Sequence, residues 1–362
     1  MYIFEGGEEG ASWASGIRAV RKAACLDAIE RIRQVPGVAE TVLITSYPDL
    51  GAQASAAGAD VVMSPTTFHY GRVLCGLVQE RRPEAVVCLG GGSAPLALPD
   101  DWDGVIGILR SENGVVVTNN LVSSNVLGFR PAEALGRVEL PAKDNFLGYL
   151  LKEAGLNDRL LPEGPPFNFD IDTATDCLVM TLHPNVGQRT LRAVEETGWD
   201  RGPVQRALEA AALPHCRVFA AGRVGPSVMR FIQKNLRWRL RVISEERGMK
   251  AFSAEPSGGP RASVRSLTGL LLDLMGPEPF FQYLAEACDL ALIDTRVIFA
   301  HWGTVVDMDT RTLSDLGRAE MVCDHKVRLF TQAARDARIP VLLGGHSLVT
   351  GGLWVIAQKI LD

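Results

Sequence analysis

Apolar residues recur at nearly helical spacing between residues 17 and 35, with Arg, Lys and Glu between them. This period matches one face of an α-helix, and the Pro-Gly pair that follows is a typical helix end. The pattern therefore predicts a helix over residues 17–35. Its apolar positions are Ile17, Val20, Ala24, Leu26, Ile29 and Ile32.

Short apolar runs alternate with helical patterns along the next stretch of the chain. Each run is bounded by turn residues, which is typical of a buried strand. Strands that alternate with helices of this length predict a parallel sheet with helices on both faces. The runs are AETVLITSYP, GADVVMSP and PEAVVCLGGGSAP, and the helical patterns lie at 49–57 and 70–82.

This alternation changes after residue 100. DGVIGILRS and GVVVTNN are predicted as two strands around a Ser-Glu-Asn-Gly turn, and SSNVLGFRP is predicted as a third strand. The section is therefore expected to add a mixed or antiparallel part to the sheet. Further helices are predicted at about 143–155, 186–197 and 202–212.

A second α/β series begins at Pro214. It is predicted to continue as strand, helix and strand, a mobile loop at EPSGGPRAS, and two helices around 264–287. A third strand, a helix near 319–337, a fourth strand and a last helix complete the series. We therefore expect one domain over 1–212 and a smaller Rossmann-like domain over 213–362. The runs are HCRVFAAGRVG, PSVMRFIQKNL, RLRVISEERG, LALIDTRVIFAH, IPVLLGGHSLVTGG and LWVIAQKIL.

Composition excludes several classes of partner. The 362 residues carry a net charge of −5, so the chain has no basic footprint for a nucleic acid. Seven cysteines lie far apart without a C-x-x-C pair, which is typical of buried thiols in a reducing cytoplasm. No window approaches 18 uncharged apolar residues, so we expect a soluble cytoplasmic protein without a membrane partner. A homodimer remains open.

Three carboxylates stand close together in the stretch FNFDIDTATDCL, at Asp170, Asp172 and Asp176. Acidic residues at a strand end are a common way to hold Mg2+, which binds carboxylate oxygens and retains water and phosphate ligands. The alternative is that Thr173 and Asp176 form a capping box at a helix start. The other two aspartates would then be solvated.

The segment DIDTATDCL resembles the DIDTPEDL-type signature of nucleotidyltransferases in the nucleoside-diphosphate-sugar transferase superfamily. The members that it resembles are the molybdenum cofactor guanylyltransferase and the 2-phospholactate guanylyltransferase. The resemblance implies a three-layer α/β domain with a mixed sheet, and a metal ligand at Asp172. It also implies that Asp170 is a second ligand or a bystander, and that Asp176 is the capping partner.

The segment VVCLGGGSAPLAL resembles the strand of that superfamily which ends in a Gly-Asp-x-Pro-Leu type sequence. The resemblance implies that Gly91, Gly92 and Ser93 bind the nucleotide. Ser93 stands where the superfamily has a metal-binding Asp, and a neutral hydroxyl is a weaker Mg2+ ligand than a carboxylate. The aspartates of the following DDWD stretch, 100–103, are the alternative source of that charge. Taken alone, GGGS is also typical of an ordinary turn.

The N-terminal stretch IFEGGEEGASWASGIRAVRK stands where the superfamily has a glycine-rich phosphate loop. The resemblance implies that backbone N–H groups around the glycines, with the basic residues that follow, bind the triphosphate. Acidic residues among the glycines oppose phosphate, and a solvated helix face is the alternative for the basic residues. The candidate residues are Gly6, Gly7, Arg18, Arg21 and Lys22, and the acids are Glu5, Glu8 and Glu9.

Polar residues between these motifs are further candidates. Asn119 and Asn120, in VTNNLVSSNVLGFRP, offer amides that can read a base or a sugar, although the same residues are common in turns. His69, after a predicted strand, could face the cleft, but a lone His before a helix is more often structural.

The second domain shows its shape more clearly than its chemistry. Gly222 and Gly225 lie between a strand and a helix start, with Glu245 after the next strand, a weak version of a dinucleotide-binding turn. His346 and Ser347 follow a buried strand, on the usual ligand side of an α/β sheet. Asp294, Arg296 and His301, with the aspartates of DMDTRTLSDLG, could line a crevice with His346. A solvated acidic loop is the alternative.

These patterns lead to one expected function and two alternatives. We expect an Mg2+-dependent nucleotidyltransferase that moves a nucleoside monophosphate from a nucleoside triphosphate to a small phosphorylated or anionic acceptor and releases pyrophosphate. The first alternative is a nucleotide-binding or assembly module that has lost the chemistry. The second is a nucleotide-sugar-dependent glycosyltransferase, for which DWD at 101–103 has the Asp-x-Asp form.

Overall fold

A computed structural model describes residues 1–7, 13–64, 67–144, 146–245, 264–304 and 306–362. Three features of the sequence lie outside the described residues: Glu8, Glu9 and the loop EPSGGPRAS. The chain forms two compact units. The domain boundary expected near residue 212 lies inside the second unit and remains a prediction. Unit 1 comprises Met1–Glu9, Val20–Asp170 and Gly187–Thr190, and unit 2 comprises Gly10–Ala19, Ile171–Val186 and Leu191–Asp362.

Unit 1 contains a seven-stranded mixed sheet in the order β3-β2-β1-β4-β6-β5-β7. β6 runs antiparallel to its neighbours β4 and β5, and the other pairs are parallel. The mixed section predicted after residue 100 is therefore confirmed. The strands are β1 (Tyr2–Glu5), β2 (Val42–Thr45), β3 (Asp60–Met63), β4 (Val86–Gly90), β5 (Val115–Thr118), β6 (Val126–Arg130) and β7 (Asn157–Leu160).

Helices cover both faces of this sheet, and successive residues of β1 and β2 contribute to two different cores. Ile3 and Leu43 pack in one core with Trp102, whereas Tyr2 and Val42 pack in the other. The predicted three-layer arrangement is confirmed. The helices of this part of the chain are α1 (Ala14–Ile32), α2 (Pro48–Ala56), α3 (Tyr70–Arg81), α4 (Pro99–Ser111), α5 (Leu147–Glu153) and α6 (Pro165–Asn168), with a 3-10 turn at Ala132–Arg137.

The segment DGVIGILRS was predicted as a strand, and that prediction is wrong because it lies in helix α4. Pro99 occupies the first turn, and the Asp101 carboxylate accepts a hydrogen bond from the Leu98 N–H at 2.8 Å. Both features favour a helix start. The buried residues Trp102, Val105, Ile106 and Leu109 have helical spacing. The hairpin predicted with GVVVTNN is therefore absent from the described structure, and β5 pairs with β6 and β7 instead.

Unit 2 contains a smaller sheet in which four parallel strands follow the order β11-β10-β8-β9. Its core packs aromatic residues such as Phe281, Phe299 and Phe330 against β10. The predicted Rossmann-like α/β arrangement is confirmed, with a sheet smaller than that of unit 1. The strands are β8 (Arg217–Gly222), β9 (Arg239–Ser244), β10 (Leu290–Asp294) and β11 (Val341–Gly344).

Most of the remaining helices follow the predicted pattern, with ends that differ by a few residues. The prediction of a strand over all of LALIDTRVIFAH is wrong, because Asp294 caps a helix at Thr295–His301 by accepting from the Arg296 N–H. The helix Met308–Asp315 was not predicted. One π-helix, Leu348–Gly352, separates β11 from the last helix. In the described part of the chain, no helix is both long and apolar enough to cross a bilayer. The helices are α7 (Ala174–Met180), α8 (Gln188–Glu196), α9 (Gly202–Ala211), α10 (Pro226–Asn235), α11 (Leu267–Met275), α12 (Pro277–Ala287), α13 (Thr295–His301), α14 (Met308–Asp315), α15 (His325–Arg335) and α16 (Leu353–Leu361), with a 3-10 turn at Ala319–Met321.

Candidate functional site

A cavity of about 680 Å3 opens in unit 1 where β1 and β4 end. Strand β6 starts at the same edge because it runs in the opposite direction. The lining therefore combines the segments that follow β1 and β4 with the segment that precedes β6. Its polar residues are Glu5, Gly6, Gly7, Arg21, Ser46, Ser64, Gly90, Ser124, Asn125, Lys143 and Asp144.

Arg21, predicted to contact phosphate, lines this cavity, but it is already paired with Glu5. Its Nε and Nη2 donate to the two Glu5 carboxylate oxygens at 3.1 and 2.8 Å. Glu5 is buried, with only 2% of its side chain exposed. Gly91 leaves space for this acid, because a Cβ at Gly91 would lie 2.6 Å from Glu5 Oε2. The buried pair fixes the guanidinium at the cavity wall and cancels its charge.

The other residues of the predicted phosphate loop have local partners. Lys22 donates to the Asp49 carboxylate at 2.9 Å and lies over the Tyr47 ring. The Gly7 N–H donates to Ser46 Oγ at 3.1 Å, and the Gly91 N–H donates to the Phe4 carbonyl at 2.9 Å. Those two N–H groups are therefore used within the fold. Arg18 lies in α1 with a half-buried side chain.

Ser93 lies beside Asp170 in unit 1. The two residues form an isolated antiparallel bridge, and the Ser93 hydroxyl donates to Asp170 Oδ1 at 3.2 Å. A Cβ at Gly90 would lie 3.0 Å from Ser93 Oγ, so the hydroxyl is next to a residue that lines the cavity. A carboxylate from a distant segment thus stands beside the serine that occupies the expected Asp position.

The asparagines predicted to read a base shape the loop before β6. Asn119 Oδ1 accepts from the Asn125 and Val126 N–H groups, at 2.9 and 3.3 Å. Asn120 Oδ1 accepts from the Val122 and Ser123 N–H groups, at 3.0 and 2.9 Å. Asn119 Nδ2 is buried and makes no hydrogen bond with the described residues. This loop places Ser124 and Asn125 at the cavity.

An aromatic wall, made of Phe4, Phe68 and Tyr70, was not predicted. The Phe4 ring lies 4.9 Å from the Tyr70 ring and 6.3 Å from the Phe68 ring, and all three line the cavity. Phe68 is 47% exposed. The sequence signal was Phe68 and Tyr70 on either side of His69, which itself caps α3 through Nδ1 and the Arg72 N–H.

The aspartate motif continues into unit 2 as a capped helix. Thr173 Oγ1 accepts from the Asp176 N–H at 3.1 Å, and Asp176 Oδ2 accepts from the Asp172 N–H at 3.2 Å. Burial, and then the charge of Asp172, hold the pKa of Asp176 well above its usual range. Asp176 is therefore a buried cap, whereas the Asp172 side chain is 39% exposed and its Oδ2 lies 3.3 Å from His346 Nδ1.

The carboxyl edge of the unit 2 sheet contains buried ion pairs. Arg223 pairs with Asp294 at 2.6 Å, and Arg296 pairs with Asp315 at 2.7 Å. Both aspartates have fully buried side chains, so the alternative of a solvated acidic loop is wrong for Asp315. The sequence shows these charged residues, but it does not show which arginine pairs with which aspartate.

Other candidates in unit 2 have structural surroundings. Gly222 has a φ of +117°, and a Cβ there would collide with Asp294, whereas Gly225 has an ordinary φ of −81°. Ser347 is fully buried beside the π-helix.

Two acid–base residues of unit 2 hold the start of helix α11. Glu245 Oε1 accepts from Ser266 Oγ at 2.7 Å. His301 Nδ1 accepts from the Ser266 N–H, and His301 Nε2 lies 3.1 Å from the Asp273 carboxylate. His301 therefore contacts α11, and its place in a crevice with His346 remains a prediction.

No protein-family model and no curated protein matches this chain. Solved structures do match, each over 54% of the chain. CMP:2-keto-3-deoxy-manno-octonic acid synthetase, complexed with CTP, is 17% identical with a TM-score of 0.37 and is covered over 98% of its length. A nucleotide-diphospho-sugar transferase from Desulfovibrio desulfuricans G20 is 14% identical with a TM-score of 0.40, and a cytidylyltransferase from Leptospira borgpetersenii serovar Hardjo-bovis is 12% identical with a TM-score of 0.38. Each of these two is covered over 94% of its length.

Proposed function

We propose that the chain is an Mg2+-dependent nucleotidyltransferase. It moves a nucleoside monophosphate from a nucleoside triphosphate to a small phosphorylated or anionic acceptor and releases pyrophosphate. The nucleoside triphosphate binds in the unit 1 cavity, and Asp170 and Asp172 are the metal ligands. The observation that carries this proposal is the Asp170 carboxylate held by Ser93, next to Gly90 at the cavity edge.

The donor set beside the cavity fits a hard cation. Asp170 supplies carboxylate oxygens, and the Ser93 hydroxyl holds one of them at 3.2 Å without competing for charge. Mg2+ prefers one or two carboxylates and takes its other ligands from water and substrate phosphates. The motif also brings Asp172 two residues after Asp170. Such a set suits Mg2+ bound together with a triphosphate better than Mg2+ bound alone.

The charge of the cavity supports the metal dependence. Its formally charged lining residues are Glu5, Arg21, Lys143 and Asp144, two acids and two bases. The lining therefore brings no net positive charge toward a triphosphate of about four negative charges, so binding needs a cation that enters with the nucleotide.

Within the reaction, the chain's own residues mainly position groups. Bound Mg2+ would neutralise charge that develops on the triphosphate as the acceptor attacks in line. Arg21, fixed by Glu5, lies at the cavity wall. Ser93 keeps the Asp170 carboxylate in one orientation. The rings of Phe4, Phe68 and Tyr70 form an apolar side on which a base can stack.

A binding module without transfer is the second candidate. It is favoured by Ser93 at the position of a metal-binding Asp and by the neutralised Arg21. The glycosyltransferase alternative has less support, because the Asp101 of DWD caps helix α4 through the Leu98 N–H. The two leading candidates differ in one product, since only the transferase releases pyrophosphate.

Titration calorimetry with GTP, CTP, ATP and UTP, each with Mg2+ or with EDTA, tests the proposal. We expect one nucleotide to bind only with Mg2+, and its affinity to fall at least tenfold in Asp170→Asn and in Asp172→Asn. Asp103→Asn, on the exposed face of α4, is the matched control and should bind like the wild type. Failure of every nucleotide to bind would overturn the proposal. Pyrophosphate release in the presence of small phosphorylated and carboxylate acceptors then separates transferase from binding module.

A further inference from the structure

Unit 2 has a topological switch point between β8 and β10. From β8 the chain crosses through α10 to β9 on one side, and it then returns past β8 to β10 on the other side. The segments that follow β8 and β10 therefore separate at the carboxyl edge of the sheet. Open parallel sheets bind their ligands at this place.

An ion pair occupies the switch point. Arg223 follows β8 directly, and Asp294 is the last residue of β10. Arg223 Nε and Nη2 donate to the two Asp294 oxygens, at 2.6 and 3.1 Å, and the aspartate side chain is fully buried. Asp294 approaches this closely because Gly222 has no Cβ. The Nε–Nη2 edge of the guanidinium is thus bound to Asp294, which holds the group in one orientation.

The other edge of the Arg223 guanidinium is unused. A guanidinium has five N–H donors, and the Asp294 carboxylate accepts from two of them. The side chain remains one-fifth exposed, and Nη1 makes no hydrogen bond with the described residues. The Nη1–Nη2 end is therefore a rigid, unfilled fork of the kind that binds two oxygens of a phosphate or a carboxylate.

The same strands carry a second arginine–aspartate pair at their opposite ends. Arg217 starts β8, and its Nε and Nη2 donate to Asp289, just before β10. Its Nη1 donates to the Glu286 carbonyl at 2.8 Å, so all three nitrogens have acceptors. This pair joins the strands as the first pair does, but it leaves no fork open. Arg217 therefore shows what an arginine does when it only joins the two strands. Variants of Arg217 and Arg223 can be compared to distinguish ligand binding from this structural role.

Other charged groups surround the switch point. Arg296 is bound by Asp315, and Arg311 has a buried Nε that makes no hydrogen bond with the described residues. Burial lowers the pKa of Arg223, but Asp294 and, more weakly, the Asp172 of the Asp172–His346 pair outweigh this effect and raise it. The charges of these three arginines and three aspartates cancel, so the region has no excess positive charge. An anion here would therefore be held by hydrogen bonds from the open fork. The residues are Arg223, Arg296, Arg311, Asp172, Asp294 and Asp315.

We propose that the carboxyl edge of the unit 2 sheet binds the oxyanion head group, phosphate or carboxylate, of a small ligand through the open edge of Arg223. This inference goes beyond the nucleotidyl transfer proposed above and does not rest on it. The binding site itself does not depend on that reaction.

The test uses the full chain without nucleotide and without Mg2+, at constant ionic strength. Inorganic phosphate and acetate are titrated separately by calorimetry, and the melting temperature is recorded with and without each anion. Arg223→Lys keeps a positive charge beside Asp294 but removes the fork, so we expect at least a tenfold loss of anion affinity. Arg217→Lys is the matched control and should bind like the wild type. The melting curves without anion show whether each variant is folded.

The two anions identify the head group, because tighter binding of phosphate indicates a phosphorylated ligand and tighter binding of acetate indicates a carboxylate. The inference is overturned if neither anion binds the wild type, or if Arg223→Lys binds as well as Arg217→Lys. Its failure is distinguishable from failure of the proposed function. If the Asp170 variant loses nucleotide binding but still binds the anion, the change affects the unit 1 site alone. If the Arg223 variant loses anion binding but still binds the nucleotide, the change affects the unit 2 site alone.

Discussion

The Ser93 hydroxyl donates a hydrogen bond to the Asp170 carboxylate at 3.2 Å, although the two residues are 77 positions apart in the chain. The hydroxyl stands where the resembling superfamily has an acidic metal ligand, and the carboxylate beside it comes from the aspartate motif. The negative charge that Ser93 lacks is thus present on Asp170, which contacts it in space. A magnesium site with one fewer acid is therefore consistent with the contacts within unit 1.

Ser93→Asp tests this relationship directly. The new carboxylate would lie next to Asp170, and two like charges at this distance repel each other. We expect the melting temperature in EDTA to fall by several degrees and to recover when Mg2+ is added. Free Mg2+ at ten times its dissociation constant would contribute about 1.4 kcal/mol to the stability of the variant.

Ser93→Asn is the control for this experiment, because it is similar in size to the aspartate and has no charge. Its melting temperature should respond to Mg2+ no more than that of the wild type. An equal Mg2+ response in the two variants would show that the position beside Asp170 does not hold the metal.

Much of the fold was predictable because the apolar patterns are local. Strands β1 to β4 alternate with helices, and all eight residues of β2 and β11 lie in buried or half-buried positions next to turn residues. Helix α4 was not predicted because the apolar run DGVIGILRS, taken alone, also fits a strand. The Pro99 and Asp101 that precede it are the local features that favour a helix start. Strand β7 was missed because its sequence, NDRL, is polar and mostly exposed at the sheet edge.

The candidate site was less predictable, because it depends on contacts between distant residues. The sequence shows that Arg21 follows the glycine-rich stretch, but not that Glu5 neutralises it. It shows Arg223 and Asp294 at two strand ends, but not that the strands are neighbours. Residue type and position in the sequence thus identified candidate binding residues. Which of their charges are neutralised depends on ion pairs between distant segments, and only the structure shows these.

The two glycines of the turn after β8 should differ in their tolerance of a side chain. Gly222→Ala would place a Cβ against Asp294 at a φ of +117°, so we expect a loss of about 2 kcal/mol or more in the free energy of unfolding. The Cβ of Gly225→Ala would meet Thr350 Cγ2 at 3.7 Å and Ser227 Oγ at 3.9 Å, which are ordinary contacts, and the residue keeps an ordinary φ. Its cost should stay below about 1 kcal/mol. Chemical denaturation of both variants checks the order, and equal losses would contradict the geometry.

The stabilisation from Asp294 should depend on pH. Burial alone would raise the pKa of Asp294, but the charge and hydrogen bonds of Arg223 outweigh it and hold the pKa below its ordinary value. The unfolded chain therefore takes up this proton first as the pH falls. The stabilisation is present above about pH 4, the ordinary range of an Asp carboxyl, and is lost as the pH falls through the lower native pKa.

Asp294→Asn should thus lower the stability at pH 7 by about 3 kcal/mol, because it leaves Arg223 without its counter-charge. The difference in melting temperature from the wild type should narrow below about pH 4. Asp289→Asn breaks the more exposed pair at the other end of β10 and should lower the melting temperature less. Thermal melts of the three proteins from pH 7 to pH 3 provide the measurement. A difference that does not change with pH would contradict the assigned direction of the pKa.

The cysteines should differ sharply in reactivity. Of the seven, Cys323 alone is exposed, Cys75 is half-buried, and the other five are buried. Burial is the largest cause that raises the pKa of Cys88 to about 12 and of Cys216 to about 12. Since the thiolate is the reactive form, these two thiols should stay inert in the native protein. With a chromogenic disulfide reagent, we expect one fast thiol, lost in Cys323→Ser, and full reaction of the rest only in denaturant. Fast reaction of more than two thiols in the native wild type would show that the cores of the two sheets open far more readily than their packing indicates.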